Sequence, residues 1–217
     1  MEPNLWIYSK VEQEKTADSL IFFGAEVFKR AKSIKEINIL QTTLKEIESH
    51  KIHPKDSNLS EFIFEYLVDC IRFMVFFENY MKAELILRDY CVHKINRKYP
   101  GFKSLAKSQE TRPIKLIEIN EIKEFVIDIE HKTIGHPAIK ETTIGINGLI
   151  CNEQYYSHYK FDSAMREIID KLRIYRNRLH LNLSIELLLS SSFISDLNTI
   201  NSFVNEIIKT RIKTNDL

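Results

Sequence analysis

Apolar residues recur at helical spacing along most of the chain, which predicts a protein built mainly of α-helices. The range 12–31 contains an apolar cluster and predicts the first helix. Ser33 and Glu36 have the spacing of a capping box, so a second helix is expected to begin there. After the turn-rich run at 53–58, one long helix or two nearly collinear helices should fill 59–96, about 50 Å at ~1.5 Å per residue.

The most apolar stretch, at 62–77, is too short to cross a membrane and contains three charged residues, Glu65, Asp69 and Arg72. These residues follow each other at intervals of four and three, which places them on one side of a helix. The pattern therefore predicts a bundle helix that is buried except along this charged stripe.

The pattern changes in the range 100–159, which contains most of the glycines and prolines of the chain. Asn147 and Gly148 stand between two short apolar runs and predict a tight hairpin. We therefore expect an irregular insertion with a possible β-hairpin around 100–159. The expected fold is all-α, an up-and-down helical bundle forming a single domain over 1–217.

Helical spacing returns at Phe161 and continues close to the C-terminus. One apolar stripe consists of Met165, Ile168, Leu172, Tyr175, Leu179 and Leu183. A last helix is expected to begin with Ser195 or Asp196 as its N-cap. Its predicted packing residues are Leu197, Ile200, Val204 and Ile207.

The amino-acid composition excludes only a few classes of function. A net charge of +1 lacks the basic excess of duplex-DNA-binding proteins, so any nucleic-acid contact must be local. The three cysteines are widely spaced and predict neither a disulfide framework nor a zinc site. This usage, together with the lack of a secretory signal at the start, leads us to expect a cytoplasmic protein without metal or cofactor.

The stretch "RIYRNRLHLN" at 173–182 carries the most informative chemistry. At about 100° per residue, a helix would place Arg173, Arg176, Asn177 and His180 within roughly a quarter-turn. Guanidinium groups suit phosphate oxygens, and an imidazole can move a proton near neutral pH without a metal. Because RNA supplies its own 2′-hydroxyl nucleophile, this combination favours RNA cleavage. The structural alternative is that Arg173, Arg176 and Arg178 are solvated charges on the helix face, each with one partner, and that the dipole of a helix C-terminus favours His180.

The same stretch resembles the signature of the HEPN superfamily (higher eukaryotes and prokaryotes nucleotide-binding domain), in which four to six residues separate an arginine from a histidine. Arg173 and His180 fit the long limit of this spacing, whereas Arg176 and His180 do not. Asn177 matches the polar residue often found beside the motif arginine. The range 81–90 is similar to the apolar helical segment with an internal glutamate that precedes the motif helix in that superfamily.

The resemblance implies a helical bundle that dimerises so that two motifs line one cleft. It also implies a metal-independent endoribonuclease of a toxin–antitoxin, abortive-infection or antiviral defence system. RNA, a second copy of the chain and an antitoxin or other defence protein are the expected partners. Asn182 stands where the subgroup regulated by nucleotidyltransferase antitoxins has tyrosine, so that type of antitoxin is not expected.

The side-chain chemistry and the resemblance together suggest roles for the residues of the predicted site. Arg173 and His180 are the predicted catalytic residues, and Arg176 and Asn177 the predicted phosphate-binding residues. Glu78 and Glu84 of the long helix are candidates for orienting Arg173 or Arg176, and the alternative is that they are solvated glutamates or lie at the rim of the core. The alternative function is a non-catalytic interaction module that binds RNA or an acidic protein through the same arginines.

Overall fold

The computed structural model describes residues 10–51, 53, 58–120, 126–128, 133–135, 138–150, 152–178 and 192–212. It is mostly helical, which confirms the predicted all-α class. The helices are α1 (Lys10–Phe28), α2 (Lys32–Lys35), α3 (Ile37–Glu48), α4 (Leu59–Ile86), α5 (Lys103–Gln109), α6 (Leu116–Asn120), α7 (Ile146–Ile150), α8 (Glu153–Tyr156), α9 (Ser163–Arg178) and α10 (Phe193–Arg211). The strands are β1 (His93–Ile95), β2 (Val126–Asp128), β3 (Thr133–Gly135) and β4 (Ile139–Thr143).

The chain divides into two compact units. The first unit comprises 1–21 and 78–160, and the second comprises 22–77 and 161–217. The first unit contains the whole of the predicted insertion together with parts of the chain on either side of it. Whether the chain is one domain with an insertion stays a prediction.

The first unit contains two short antiparallel strand pairs. Strand β1 pairs with β4, with His93 opposite Thr143, and β2 pairs with β3. The hairpin expected in the range 100–159 is therefore present, but as β2 and β3. Buried residues of this unit form one hydrophobic cluster: Cys91, Ile95, Phe102, Ala106, Ile114, Ile119, Ala138 and Ile139.

The hairpin predicted at Asn147 and Gly148 is wrong, because both residues lie in helix α7. Ile146, Leu149 and Ile150 are buried, and their spacing of three and four is that of one helical face. A Cβ atom at Gly148 would lie 2.8 Å from Cγ2 of Ile144, so the glycine allows close packing here. Burial of the apolar neighbours has outweighed the turn preference of the dipeptide.

Helix α4 has 28 residues and ends ten residues before the predicted end of the long helix. The amide of Asp89 donates to the carbonyl of Ile86, and the amide of Tyr90 donates to that of Leu85. These two bonds form a Schellman motif, with Asp89 in the left-handed conformation at φ 63°. No glycine marks this helix end in the sequence, which explains why the predicted end was wrong.

The side chain of Gln109 binds the backbone of β1. Its Nε2 donates to the carbonyl of His93 at 2.7 Å, and its Oε1 accepts from the amide of Ile95 at 2.9 Å. The backbone carbonyl of Gln109 accepts from the hydroxyl of Tyr155 at 2.7 Å. This buried amide therefore pairs two backbone groups of the strand, as a neighbouring strand would.

We expect Gln109→Met to lower the free energy of unfolding by about 2 kcal/mol. The substitution keeps the volume of the side chain but leaves the amide of Ile95 and the carbonyl of His93 without these partners. Urea unfolding measures the effect. Gln154→Met, which changes an exposed glutamine, is the control and should change stability by less than about 0.5 kcal/mol; equal effects would contradict the proposed pairing.

In the second unit, aromatic rings of α4 pack against α1, α9 and α10. The ring centroids of Phe73 and Phe28 are 5.5 Å apart, and those of Tyr66 and Phe193 are 4.3 Å apart. Tyr66 also contacts Tyr175, at 6.2 Å. This packing places α9 against the helical core.

The capping box predicted at Ser33 is wrong. Ser33 lies inside α2, and its amide donates to Oδ2 of Asp69 at 2.7 Å. Asp69 is fully buried and also forms an ion pair with Arg72. The prediction that the charged stripe of α4 faces outward is therefore wrong at Asp69, because this carboxylate binds the N-terminal turn of another helix.

The start of α10 also differs from the prediction. The helix begins at Phe193, so Asp196 lies in its first turn, where its carboxylate accepts from Lys171 at 3.0 Å. The contact of Phe193 with Tyr66 explains the earlier start. The predicted packing residues are confirmed, since all four are buried: Leu197, Ile200, Val204 and Ile207.

Candidate nucleic-acid interface

Helix α9 carries the arginine-rich stretch. Oδ1 of Asp162, the residue before the helix, accepts from the amide of Met165 at 2.7 Å and so caps the first turn. Met165, Ile168 and Leu172 are buried as predicted. Positions 179 and 183 of the predicted apolar stripe lie outside the described residues. The buried stripe fixes which side of α9 faces solvent.

Arg173 is partly buried and already has an acidic partner. Its Nε and Nη2 donate to Oδ1 of Asp170 at 2.9 and 2.7 Å, and Asp170 is more exposed than the arginine. An exposed pair of this kind contributes only about 0–1 kcal/mol to stability. A phosphate could therefore compete with Asp170 for this guanidinium at little cost.

Arg176 lies one turn further along α9 and is exposed. Within the described residues its guanidinium group has no hydrogen bond or ion pair. Arg176 follows Arg173 by three positions, which amounts to about 60° around the helix axis. Both guanidinium groups can therefore reach the same side of α9. The two arginines form the described part of the candidate interface.

The remaining motif residues are only partly placed. Asn177 and Arg178 belong to α9 by their backbone. His180 lies outside the described residues. The convergence of Arg173, Arg176, Asn177 and His180 on one phosphate therefore stays a prediction.

Glu78 and Glu84 belong to the first unit and have partners close to them in the chain. Glu78 accepts from Nζ of Lys82 at 2.6 Å. Glu84 is buried and accepts from Nη1 of Arg88 at 2.5 Å. Both ion pairs stabilise the C-terminal part of α4. The predicted role of these glutamates in orienting the arginines of α9 stays a prediction.

An exposed apolar stripe on α4 was not expected from the sequence. Phe64 is 62% exposed and Ile71 is 43% exposed, one heptad apart. The half-buried residues Leu67, Val68 and Val75 lie between and beyond them on the same side. We call these five residues the α4 stripe. Their spacing of three and four was visible in the sequence, but it was assigned to the buried side of the helix.

The described cysteines, Cys70 and Cys91, are both buried and do not offer a reactive site. Burial raises the pKa of the Cys70 and Cys91 thiols, and the thiol of Cys91 donates to the carbonyl of His93 at 3.0 Å. Such thiols are protonated and unreactive at neutral pH. The described ranges contain no cluster of three candidate metal ligands and no helix long and apolar enough to span a bilayer.

His158 lies near two cations in the first unit. Burial, followed by the charges of Arg88 and Lys115, lowers its pKa below the usual 6.5. Its ring also contacts that of Tyr90, with centroids 4.6 Å apart. The native state therefore favours the neutral imidazole.

We expect part of the stability to be lost as the pH falls from 7.5 to 5.5. In this window the unfolded chain takes up a proton at His158 more readily than the native protein does, so protonation favours unfolding. His158→Phe keeps a ring against Tyr90 but cannot titrate. Its free energy of unfolding should fall less than that of the wild type over the same window, as measured by urea unfolding; an identical fall would contradict this role for His158.

Comparison of the chain with models of protein families, with curated proteins and with solved structures found no match. The resemblance to the HEPN superfamily therefore depends on residues of this chain, chiefly those at 173–182.

Proposed function

We propose that the chain is a metal-independent endoribonuclease, acting as a toxin or defence effector, with its site at the C-terminal end of α9. The observation that carries this proposal is the placement of two arginines three residues apart on α9, where both guanidinium groups can reach the same side of the helix. Arg176 has no described partner, and Arg173 has only an exposed one, Asp170. Guanidinium groups held in this way suit the oxygens of a phosphodiester.

The proposed reaction is transfer to the 2′-oxygen of RNA. The imidazole of His180 removes the proton from the 2′-hydroxyl, and the oxygen attacks the adjacent phosphorus. The bond from phosphorus to the 5′-oxygen breaks, and that oxygen receives a proton from a general acid, the protonated His180 of a second copy of the chain. Arg173 stabilises the charge of the pentacoordinate phosphorane, while Arg176 and Asn177 hold the phosphate. The products are a 2′,3′-cyclic phosphate and a 5′-hydroxyl end.

The second candidate function is a non-catalytic module that binds RNA or an acidic protein surface. The ion pair between Arg173 and Asp170 favours it, because this arginine already binds a carboxylate in the described structure. A module of this kind would need the arginines but not the histidine. The two candidates therefore differ in what they require of His180.

Incubation of the purified protein with RNA in excess EDTA separates the two functions. The ribonuclease should produce fragments with cyclic or 3′-phosphate ends and 5′-hydroxyl ends. His180→Ala protein, purified in parallel, controls for contaminating nuclease. Binding without turnover over hours at micromolar protein would support the module instead.

We also propose that the enzyme is a homodimer. Cleavage needs a base and an acid, and the proposed face of α9 supplies one histidine per chain. A two-fold axis would bring a second His180 to the same cleft. The α4 stripe supports this proposal, because it offers a surface on which a second copy can pack. Isolated exposed apolar residues are common, but a heptad-spaced stripe on one helix is typical of helix pairing.

Ile71→Glu should shift the protein from dimer to monomer in sedimentation equilibrium at micromolar concentration. A glutamate in the centre of the α4 stripe would place two unpaired carboxylates in the apolar interface. Ile39→Glu is the matched control, since Ile39 of α3 is 57% exposed and lies outside the stripe. A dimer that survives Ile71→Glu would show that the copies meet elsewhere, and a monomeric wild type with full nuclease activity would overturn the shared-site proposal.

A further inference from the structure

The first unit contains a cavity of about 200 Å³ whose lining residues include none of the α9 interface. It is lined by residues of α1, α4, β1 and β4, among them Gln13, Lys82, Ile86, His93 and Thr143. We propose that this cavity binds a small organic carboxylate with a compact apolar body, and that the ammonium group of Lys82 is its anion contact. This inference does not depend on the proposed ribonuclease function.

Lys82 supplies the charge that the ligand would meet. It is only 8% exposed, and its one ion pair in the described structure is with Glu78 at 2.6 Å. An ammonium group has three N–H donors, so two remain after this contact. The described residues that line the cavity include no acid. Although Glu78 already binds this ammonium group, an anionic ligand group could accept from its remaining donors, since no described lining residue is an acid.

His93 adds polarity to the cavity without adding a second charge. Its Nδ1 lies 3.0 Å from the carbonyl oxygen of Lys140 and donates to it when the ring is neutral. Burial, and to a smaller degree the charge of Lys82, lowers the pKa of His93. The imidazole is therefore neutral at pH 7, and Lys82 is the one cationic side chain among the described lining residues. This favours a monoanion over a phosphate dianion.

The rest of the lining selects for an apolar body. Leu20, Ile86, Val92 and Leu116 form much of the wall. A volume of about 200 Å³ lies below the ~300–1,000 Å³ of sites for drug-sized molecules, which favours a small ligand. The fitting class is a short branched or aromatic acid, for which benzoate is a convenient probe.

Titration of the full-length protein with benzoate, followed by amide chemical shifts in NMR, tests the proposal. Saturable shifts at Val92, His93 and Thr143 are expected, with a dissociation constant of about 1 mM or tighter. Benzamide, which has the same shape without the charge, should bind at least ten-fold more weakly. Inorganic phosphate should not saturate these residues. Equal binding of benzamide, saturation by phosphate, or no saturable shift at 10 mM benzoate would overturn the proposal.

Two variants separate charge from shape. Lys82→Met removes the ammonium group and should weaken benzoate binding at least ten-fold, while Lys94→Met, at an exposed position of β1, should change it less than two-fold. Thr143→Phe fills part of the cavity and should also abolish saturable shifts, so the proposal remains testable if Lys82→Met fails to fold. Unchanged binding in either cavity variant would contradict the assignment.

Discussion

His180→Ala and Arg173→Ala are each expected to lower the rate of RNA cleavage by at least about 100-fold. The first removes the group that moves the proton, and the second removes the charge that stabilises the phosphorane. Arg173→Ala should leave the fold intact, because it removes an exposed ion pair with Asp170 worth about 0–1 kcal/mol. Single-turnover cleavage assays, with circular dichroism as a check of folding, measure both effects.

Arg178→Ala is the control for these variants. Residue 178 is five residues beyond Arg173 on α9, about 140° around the helix from it, and so lies away from the proposed phosphate site. We expect this variant to keep activity within about three-fold of the wild type. Arg173→Lys keeps the charge but loses the forked donors. Its rate of RNA cleavage should therefore lie between those of the wild type and Arg173→Ala. Equal losses from Arg173→Ala, His180→Ala and Arg178→Ala would contradict the assignment of roles.

Asp69→Ala is expected to have the largest effect on stability, about 3 kcal/mol. The carboxylate is fully buried, accepts from the amide of Ser33 at 2.7 Å and forms an ion pair with Arg72. Its removal leaves a buried amide and a partly buried guanidinium without these partners. Urea unfolding of the full-length protein measures the loss.

Two further variants test the reason for this loss. Asp69→Asn keeps an oxygen that can accept from Ser33, so it should lose less stability than Asp69→Ala. Glu65→Ala, a change of a more exposed carboxylate one turn earlier on α4, should cost less than about 1 kcal/mol. A loss from Asp69→Ala no larger than that from Glu65→Ala would show that the buried carboxylate does not hold α2 in place.

The sequence predicted helix positions well where apolar spacing alone determines them. Helices α1, α9 and α10 lie close to their expected ranges, and the buried faces of α9 and α10 were identified. Helix ends were harder to predict. The end of α4 depends on the left-handed conformation of Asp89, which glycine more commonly adopts.

Errors were greatest where one segment depends on a distant one. The burial of Asp69 follows from its bond to Ser33, which is 36 positions away in the chain, so its neighbours on α4 gave no sign of it. The residues that line the cavity beside Lys82 come from several segments between α1 and β4. The pattern of one segment alone could therefore not predict this cavity. At the candidate site, the sequence identified the arginines of α9, and the structure added Asp170 as the bound partner of Arg173.

Cleavage of a defined RNA and of its fully 2′-O-methylated counterpart, in excess EDTA, tests the central claim most directly. The proposed chemistry needs a 2′-hydroxyl and no metal ion. The wild-type protein should cut the RNA to cyclic phosphate and 5′-hydroxyl ends and leave the methylated strand intact, and His180→Ala should cut neither. Cleavage of both strands, loss of all cleavage in EDTA, or full activity of His180→Ala would contradict a metal-independent ribonuclease that uses the α9 interface.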